Sequence, residues 1–472
     1  MSGPFRQPCD EGVLRTSGDC EGAARRKRYL TLTACVLGSA LVFIDGSVVA
    51  VALPVMRAQL PADVVQTQWI VNIYMLMLAA FTLLGGAGAD RFGRKRAFLA
   101  GVAGFAAASI FCGLAPNANA LIAARALQGL AGAVLAPASL ALIAATFPKA
   151  ERGAAIGVWA GASALTTALG PVLGGWIVDV LSWRYIFYLN IPIALAALAA
   201  GAVFSGESRD EAARRLDWPG AALAVLALGA LAFSLTRLGE RNIGDLRAWA
   251  ALALSLILAA AFLMREKNAS SPMMPLGIFS SLRFSALNAL TLCLYAALSS
   301  AFLLLPFELT EARGLSAAAV GAVFLPFTLP MGFLSSVSGA LQNRVGARLL
   351  LVAGPVLAAL GFALLAAGRD WPLWAGVLAP MGVTGFGFAL FVAPLTDGVI
   401  RAAPERHEGL ASGVNNAASR IAGMIGVALA GALAAALGGF TGAYPWIMAG
   451  AAALTLVGAG FGWTGAGARQ GK

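Results

Sequence analysis

The sequence predicts an all-α membrane protein of fourteen transmembrane helices, on three observations. Hydrophobic residues fill 59% of the 472 positions and the mean hydropathy is +0.81, more apolar surface than a water-soluble fold can hide under a polar coat. Only 12% of residues are charged, and they gather in short clusters between apolar runs long enough to cross about 30 Å of hydrocarbon. The runs are continuous and rich in Ala, Leu and Gly, whereas membrane barrel strands alternate apolar and polar residues.

The first run, residues 29–53, follows Arg25, Arg26, Lys27 and Arg28. It is too long for the apolar core of a signal peptide and ends in Pro54 without a clear cleavage site, so it reads as span 1. Five more spans follow at residues 66–89, 97–115, 119–147, 153–180 and 184–204. Beyond the polar stretch Glu207 to Asp217 come two further spans, 217–236 and 246–264, and residues 265–283 lead into six more: 284–307, 317–340, 347–368, 373–396, 409–437 and 443–463. An even number of spans puts both termini on one side. Most of the 33 Lys and Arg residues fall in loops on that side, and the positive-inside rule makes it the cytoplasmic face of a plasma (inner) membrane. The loop at residues 237–245 fits least well, since Arg237 and Arg241 land outside.

An internal repeat organises these spans. Gly86-Ala-Gly-Ala-Asp90-Arg91-Phe-Gly93-Arg94-Lys95 after span 2 is echoed by Gly339-Ala-Leu-Gln-Asn343-Arg344-Val-Gly346-Ala-Arg348 after span 10. Both copies lie in loops on the terminal side, so two six-helix halves of like orientation, related by a pseudo-two-fold axis along the membrane normal, with two helices inserted between them, account for the spacing. The expected domains are a cytoplasmic tail at residues 1–28, an N-terminal half at 29–204, a linker with the two extra helices at 205–282, a C-terminal half at 283–464 and a tail at 465–472.

Composition also excludes function classes. The net charge of +11 comes from loop residues between apolar runs, which fits membrane topology rather than nucleic-acid binding. Cys9, Cys20, Cys35, Cys112 and Cys293 show no CxxC spacing and read as free thiols. A single histidine, His407, allows neither a His-based triad nor a multi-His metal site, and isolated charges do not form the cluster a membrane-embedded enzyme needs. No enzyme activity, metal or cofactor is expected. There is no GxxxxGK[ST] phosphate loop, so if the chain performs uphill transport, the energy is expected from an ion gradient.

Few polar residues sit within the spans. Asp45 lies in span 1, where a charged side chain at mid-helix costs about 2.5–3.5 kcal/mol on insertion scales. Arg125 lies in span 4 and Arg420 in span 13. At 1.5 Å per residue, Asp45 is roughly 12 Å and Arg125 roughly 9 Å from the outer ends of their spans, so the two can meet. Two readings stay open: a proton-carrying carboxyl group, or a static ion pair that ties two helices together. Burial disfavours the charged form of such a group and a neighbouring guanidinium favours it, so moving the cation or admitting cargo changes proton affinity. Arg420 either lines a cavity or snorkels toward backbone carbonyls; Gln128, Asn190 and Asn415 are likewise cavity or packing residues. The charged loop after span 2 is either a topology anchor or, given Asp90 and the paired glycines Gly86 and Gly93, something more. In span 5, Gly170-Pro171-Val-Leu-Gly174-Gly175 removes bulk and one backbone donor, which permits a kink and a close neighbour.

Together these segments resemble the major facilitator superfamily, in its fourteen-helix branch of drug:proton antiporters, over nearly all of residues 29–464. Phe43-Ile44-Asp45-Gly46-Ser47-Val48-Val49-Ala50-Val51-Ala52-Leu53-Pro54 is similar to that branch's first-helix motif, and Leu121 to Gly132, with Arg125, Gln128 and Gly129, to its fourth-helix motif. The resemblance implies proton coupling through Asp45 and Arg125. It implies a conformational switch in the loop of Gly86, Asp90, Arg91, Gly93, Arg94 and Lys95, where Gly88 replaces the usual Leu, and an antiporter helix at Gly170, Pro171, Gly174 and Gly175. Trp183-Arg184-Tyr-Ile-Phe187-Tyr-Leu-Asn190-Ile-Pro192 is similar to a sixth-helix segment of the branch. Ser47 and Ala50 depart from the Thr and Asn of the first-helix motif, so a polar contact is missing there. The expected function is proton-coupled export of lipophilic or weakly cationic small molecules by alternating access, the alternative being a dedicated exporter of one endogenous metabolite or self-made antibiotic. The expected partners are cargo, protons and the bilayer, with the protein a monomer.

Overall fold

The computed structural model describes residues 17–209, 217–241, 245–269, 272, 274–403 and 408–467, and all regular structure among them is helical. The N-terminal half comprises α1 (Ser17–Gln59), α2 (Val64–Phe92), α3 (Arg94–Leu114), α4 (Ala118–Thr146), α5 (Lys149–Val180), and the short α6 (Tyr185–Tyr188) that runs into α7 (Asn190–Phe204). Then come α8 (Trp218–Arg241) and α9 (Leu246–Asn268). The C-terminal half holds α10 (Leu282–Phe307), continued by a π-helical turn, α11 (Ala317–Val323) with α12 (Leu325–Val345), α13 (Ala347–Ala367), α14 (Ala379–Arg401), α15 (Glu408–Ala436) and α16 (Phe440–Gly467). By length and apolarity the described helices provide fourteen candidate membrane spans.

The helices overrun the apolar segments that locate them. Helix α1 begins at Ser17, about three turns before the apolar run, because the backbone ladder need not stop where hydrocarbon does. Local caps set other ends. Asp63 and Gln66 form a reciprocal capping box at α2, and Asn117 caps α4. The tenth span is broken into α11 and α12 at Phe324, just before Pro326, which lacks the backbone donor that would carry the ladder through.

Lipid offers no hydrophobic drive for helix association, so packing depends on backbones approaching closely through small residues. A Cβ on Gly85 of α2 would strike the carbonyl of Ala133 in α4, one on Gly426 of α15 that of Ala296 in α10, and one on Gly462 of α16 that of Leu351 in α13. The inserted pair is joined by Ser234 donating to Ala248 O (2.9 Å) and Ser255 to Ala227 O (2.8 Å). It leans on the seam of the two halves through Leu76 of α2, Ala232 of α8 and Met424 of α15.

The start of α1 and the end of α16 define the terminal side of the bundle. One apolar core is confined to the N-terminal half toward that side, from Leu32, Phe98 and Phe105 to Leu142 and Ile143. The larger core is shared at the opposite, far side: Val48, Leu53, Leu121, Trp183 and Phe187 belong to the same cluster as Phe307, Val320, Phe324 and Phe440. The halves are thus welded at the far side. On α5, Gly153, Gly157 and Gly161, nearer the terminal side, face open space, whereas Gly175 near the far end meets the other half.

Candidate functional site

Depth matching along α1 and α4 brings Asp45 and Arg125 together. The Arg125 guanidinium donates to Asp45 Oδ2, and each side chain is about 1% exposed. Gln128, one turn beyond Arg125, completes the ring: its Oε1 accepts from Arg125 Nη1 (2.6 Å) and its Nε2 donates to Asp45 Oδ1 (2.8 Å). The same Nε2 reaches Ser109 Oγ of α3 (3.0 Å), to which Asn190 of α7 also donates (3.2 Å). Arg125 Nε donates to Ile70 O (3.2 Å), and its guanidinium carbon lies 4.1 Å from the centroid of the Tyr74 ring. Tyr74 in turn donates to Val42 O (3.2 Å) on α1. Five helices therefore supply the shell of one carboxylate. A buried ion pair survives desolvation only when neighbouring donors and acceptors engage it, and here both Asp45 oxygens and the Arg125 Nε and Nη1 groups have partners.

Losing one member of such a set leaves the other charge uncompensated, which costs about 3–5 kcal/mol. A proton on Asp45 has the same electrostatic consequence without any mutation, because the neutral carboxyl no longer balances Arg125. The arrangement therefore ties the charge balance of this pair to the fit of α1 against α4.

A route leads outward from it. Ser47 and Val48, two and three residues past Asp45, are the groups a Cβ on Gly170 and Gly174 of α5 would meet. Ser47 itself donates to Phe43 O (3.2 Å) and Ile44 O (3.0 Å) of its own helix. The other face of α5 touches the C-terminal half: a Cβ on Gly175 would strike Ala317 O, and one on Gly321 of α11 would strike Pro171 O. The small residues of span 5 thus separate into one pair against α1 and one against α11.

Two links between the halves were not visible in the sequence. Asp179, at the end of α5, accepts from the backbone N–H groups of Ala317 (3.0 Å) and Ala318 (2.7 Å), capping α11 from the opposite half. Arg57 of α1 pairs with Glu311 (3.3 Å) and lies over the rings of Phe307 and Phe440, which stack 4.1 Å apart. Both sit at the far side and join what α1, α5, α10 and α11 bring there.

The charged loop after α2 is held within the N-terminal half. Asp90 accepts from Arg94 (2.8 Å) one turn on, Lys95 Nζ donates to Ala202 O (2.7 Å), and Arg91 lies over Phe92. Gly86 faces Pro137 of α4. Gly93 takes φ +114°, and its counterpart Gly346 takes +85°, a left-handed turn open to glycine in both copies of the repeat. Sequence reasoning missed Glu207, whose carboxylate accepts from Lys95 N (3.1 Å) and Arg96 N (3.3 Å) and so caps α3 across 112 and 111 residues of chain. Glu207→Ala is expected to cost about 1 kcal/mol through the lost cap, read as a lower thermal midpoint in detergent with cargo affinity kept. An unchanged midpoint would mean that water replaces the carboxylate at no loss.

The remaining polar residues lie in the C-terminal half. Asn415 accepts from Thr291 of α10 (2.7 Å). Arg420 is half-buried on α15. Among the described residues no group of three or more His, Cys, Asp or Glu is placed to hold a metal ion.

Residues 35–264 and 287–469 match the family model described as Major Facilitator Superfamily. The tetracenomycin C resistance and export protein of Streptomyces glaucescens is 35% identical over 418 residues, 87% of this chain and 77% of that one. A multidrug resistance protein of Mycobacterium tuberculosis is 35% identical over 413 residues, 87% and 76% of the two chains. Among solved structures, the xylose transporter XylE of E. coli, in a partially occluded inward open conformation, superposes with a TM-score of 0.63 over 92% of this chain and 98% of that one. At 14% identity that likeness is one of fold alone.

Proposed function

The chain belongs to the Major Facilitator Superfamily and is a multi-pass membrane transporter, and from that premise we propose that it exports lipophilic small molecules in exchange for protons by alternating access. The observation that carries this reading is the buried Asp45, fully engaged by Arg125 and Gln128. Relatives named for tetracenomycin C export and for multidrug resistance support the cargo class.

The steps follow from the geometry. With Asp45 ionised, the ring of Asp45, Arg125 and Gln128 is closed and the halves meet at the far side through α5 and α11. Protonation removes one charge from the pair and leaves Arg125 seeking compensation from Gln128, Ile70 O and the Tyr74 ring. The resulting shift of α1 bears on Ser47 and Val48, hence on Gly170 and Gly174, and through α5 on the Gly175 and Gly321 contacts that close the far side. The two tilts of the halves thus differ in their affinity for a proton, which is the condition for a gradient to drive the cycle. With the terminal side cytoplasmic, protons enter from the far side and leave to the cytoplasm as cargo moves outward.

Magnitudes limit the work. Each pH unit across the membrane supplies about 1.4 kcal/mol per proton, so a one-for-one electroneutral exchange concentrates cargo at most about tenfold per pH unit. The potential contributes only if net charge moves.

The test is reconstitution of the purified chain in liposomes with an imposed pH gradient and a panel of dyes and antibiotics. Gradient-dependent uptake that a protonophore abolishes is expected; uptake indifferent to the gradient would refute proton exchange. A second reading, a dedicated exporter of one compound, is favoured by the relative named for tetracenomycin C alone. Uptake of a single panel member would select it.

A further inference from the structure

Arg420 is a charge on the face of α15 that looks toward the N-terminal half, and the proton site does not use it. It stands on α15 with Asn416 one turn before it and Gly423 one turn after, so the three share a face. That face looks between the halves: a Cβ on Gly423 would meet Ser299 of α10 and the sulfur of Met75 in α2, and one on Gly413, earlier on the same face, would meet Leu83 of α2. Asn416 is exposed and Arg420 half-buried. Among the described residues Arg420 has no hydrogen-bond or ion-pair partner.

Among the described residues, four acids of the bundle are engaged elsewhere. Asp45 is enclosed by Arg125 and Gln128, Glu308 is paired with Arg369 (3.0 Å), Asp397 with Arg401 (2.7 Å) and Gln342, and Asp179 with the start of α11. A guanidinium at this depth is costly without compensation and presents five donors in a planar fork suited to oxygen acceptors.

We propose that Arg420 is a specificity-determining residue for the cargo, donating to one of its oxygen acceptors, a carbonyl, phenolate or carboxylate. This deepens the export reading and rests on it for the word cargo. It replaces weak cations with acceptor-rich neutral or anionic compounds, since a cation would face a fixed positive charge. It also places cargo and proton on different residues, so their exchange is coupled through the tilt of the halves rather than by displacement at Asp45.

The test uses two dyes on one xanthene frame, fluorescein as the anion and rhodamine 123 as the cation. Their binding to the purified full-length chain in detergent is read by fluorescence anisotropy. The wild-type chain is expected to prefer fluorescein. Arg420→Gln should lower the fluorescein-to-rhodamine affinity ratio on the order of tenfold to a hundredfold, the range of a charge-assisted hydrogen bond, and Arg420→Lys should keep part of it. Equal affinities in wild type, or a ratio unchanged in Arg420→Gln, would overturn the assignment; so would a Lys variant no better than Gln. Dye uptake under a pH gradient is scored separately. Arg420-dependent binding with no driven uptake would sink the transport reading and leave this one, and driven uptake with an unmoved ratio would do the reverse.

Discussion

Asp45→Asn is expected to reduce proton-driven export by about a hundredfold or more, the scale of removing an essential proton-transfer group, while the protein still reaches the membrane. The single change also leaves Arg125 buried without its counter-charge, at about 3–5 kcal/mol, so a loss of activity alone would not separate a proton carrier from a structural pair. The neutral pair Asp45→Asn with Arg125→Gln makes that separation. It removes both charges, keeps hydrogen-bonding groups beside Gln128 and Ser109, and should recover much of the lost thermal stability. If Asp45 only ties α1 to α4, the double variant transports. If Asp45 carries the proton, the double variant regains that stability and still fails to couple. Thermal midpoint and gradient-driven uptake, measured on the same preparations, read the two effects apart.

Gly175→Leu is expected to have the second-largest effect, because the atom that a side chain would strike is the carbonyl of Ala317, a backbone group that cannot rotate away. Overpacking of this kind costs about 1–3 kcal/mol, enough to shift a two-state balance by roughly tenfold to a hundredfold. The far-side closed arrangement should be depleted and turnover should fall, with cargo still bound. Leu181, at the end of α5, and Ala312, just before α11, are both exposed. Spin labels at Leu181→Cys and Ala312→Cys, in a chain with its native cysteines replaced by Ser, should therefore move apart by several Å in the Leu variant. Gly170→Leu should disturb α1 instead, through Ser47, and leave that label distance closer to wild type. Unaltered distance and turnover in Gly175→Leu would mean that α5 and α11 are not the moving contact.

The spans were readable because hydropathy is set by the bilayer and needs no tertiary information. Loop glycines were readable for a related reason: Gly93 and Gly346 occupy equivalent positions in a repeat, and both take a positive φ. Depth along the spans showed that Asp45 and Arg125 can meet, but that α1 and α4 are neighbours is a tertiary fact that depth does not carry. What composition could not show was the division of α5 into two faces, because Gly170 and Gly175 look alike until the partners Ser47 and Ala317 are known. Asp179, Arg57, Glu311 and Glu207 were hidden more deeply. Each is a single charge at the end of a span, where topology alone explains a charge, and Arg57 finds Glu311 254 residues away. The break at Phe324 escaped too, since an apolar run continues through it.

Proton movement coupled to cargo at Asp45 is the central claim, and vesicles holding the purified chain with a pH-sensitive dye trapped inside measure it directly. Adding a transported cargo should shift the internal pH with wild-type protein, in opposite senses for cargo added inside and outside, and should leave it flat with Asp45→Asn. A pH shift of equal size in both proteins, or none in wild type while cargo crosses, would contradict the account.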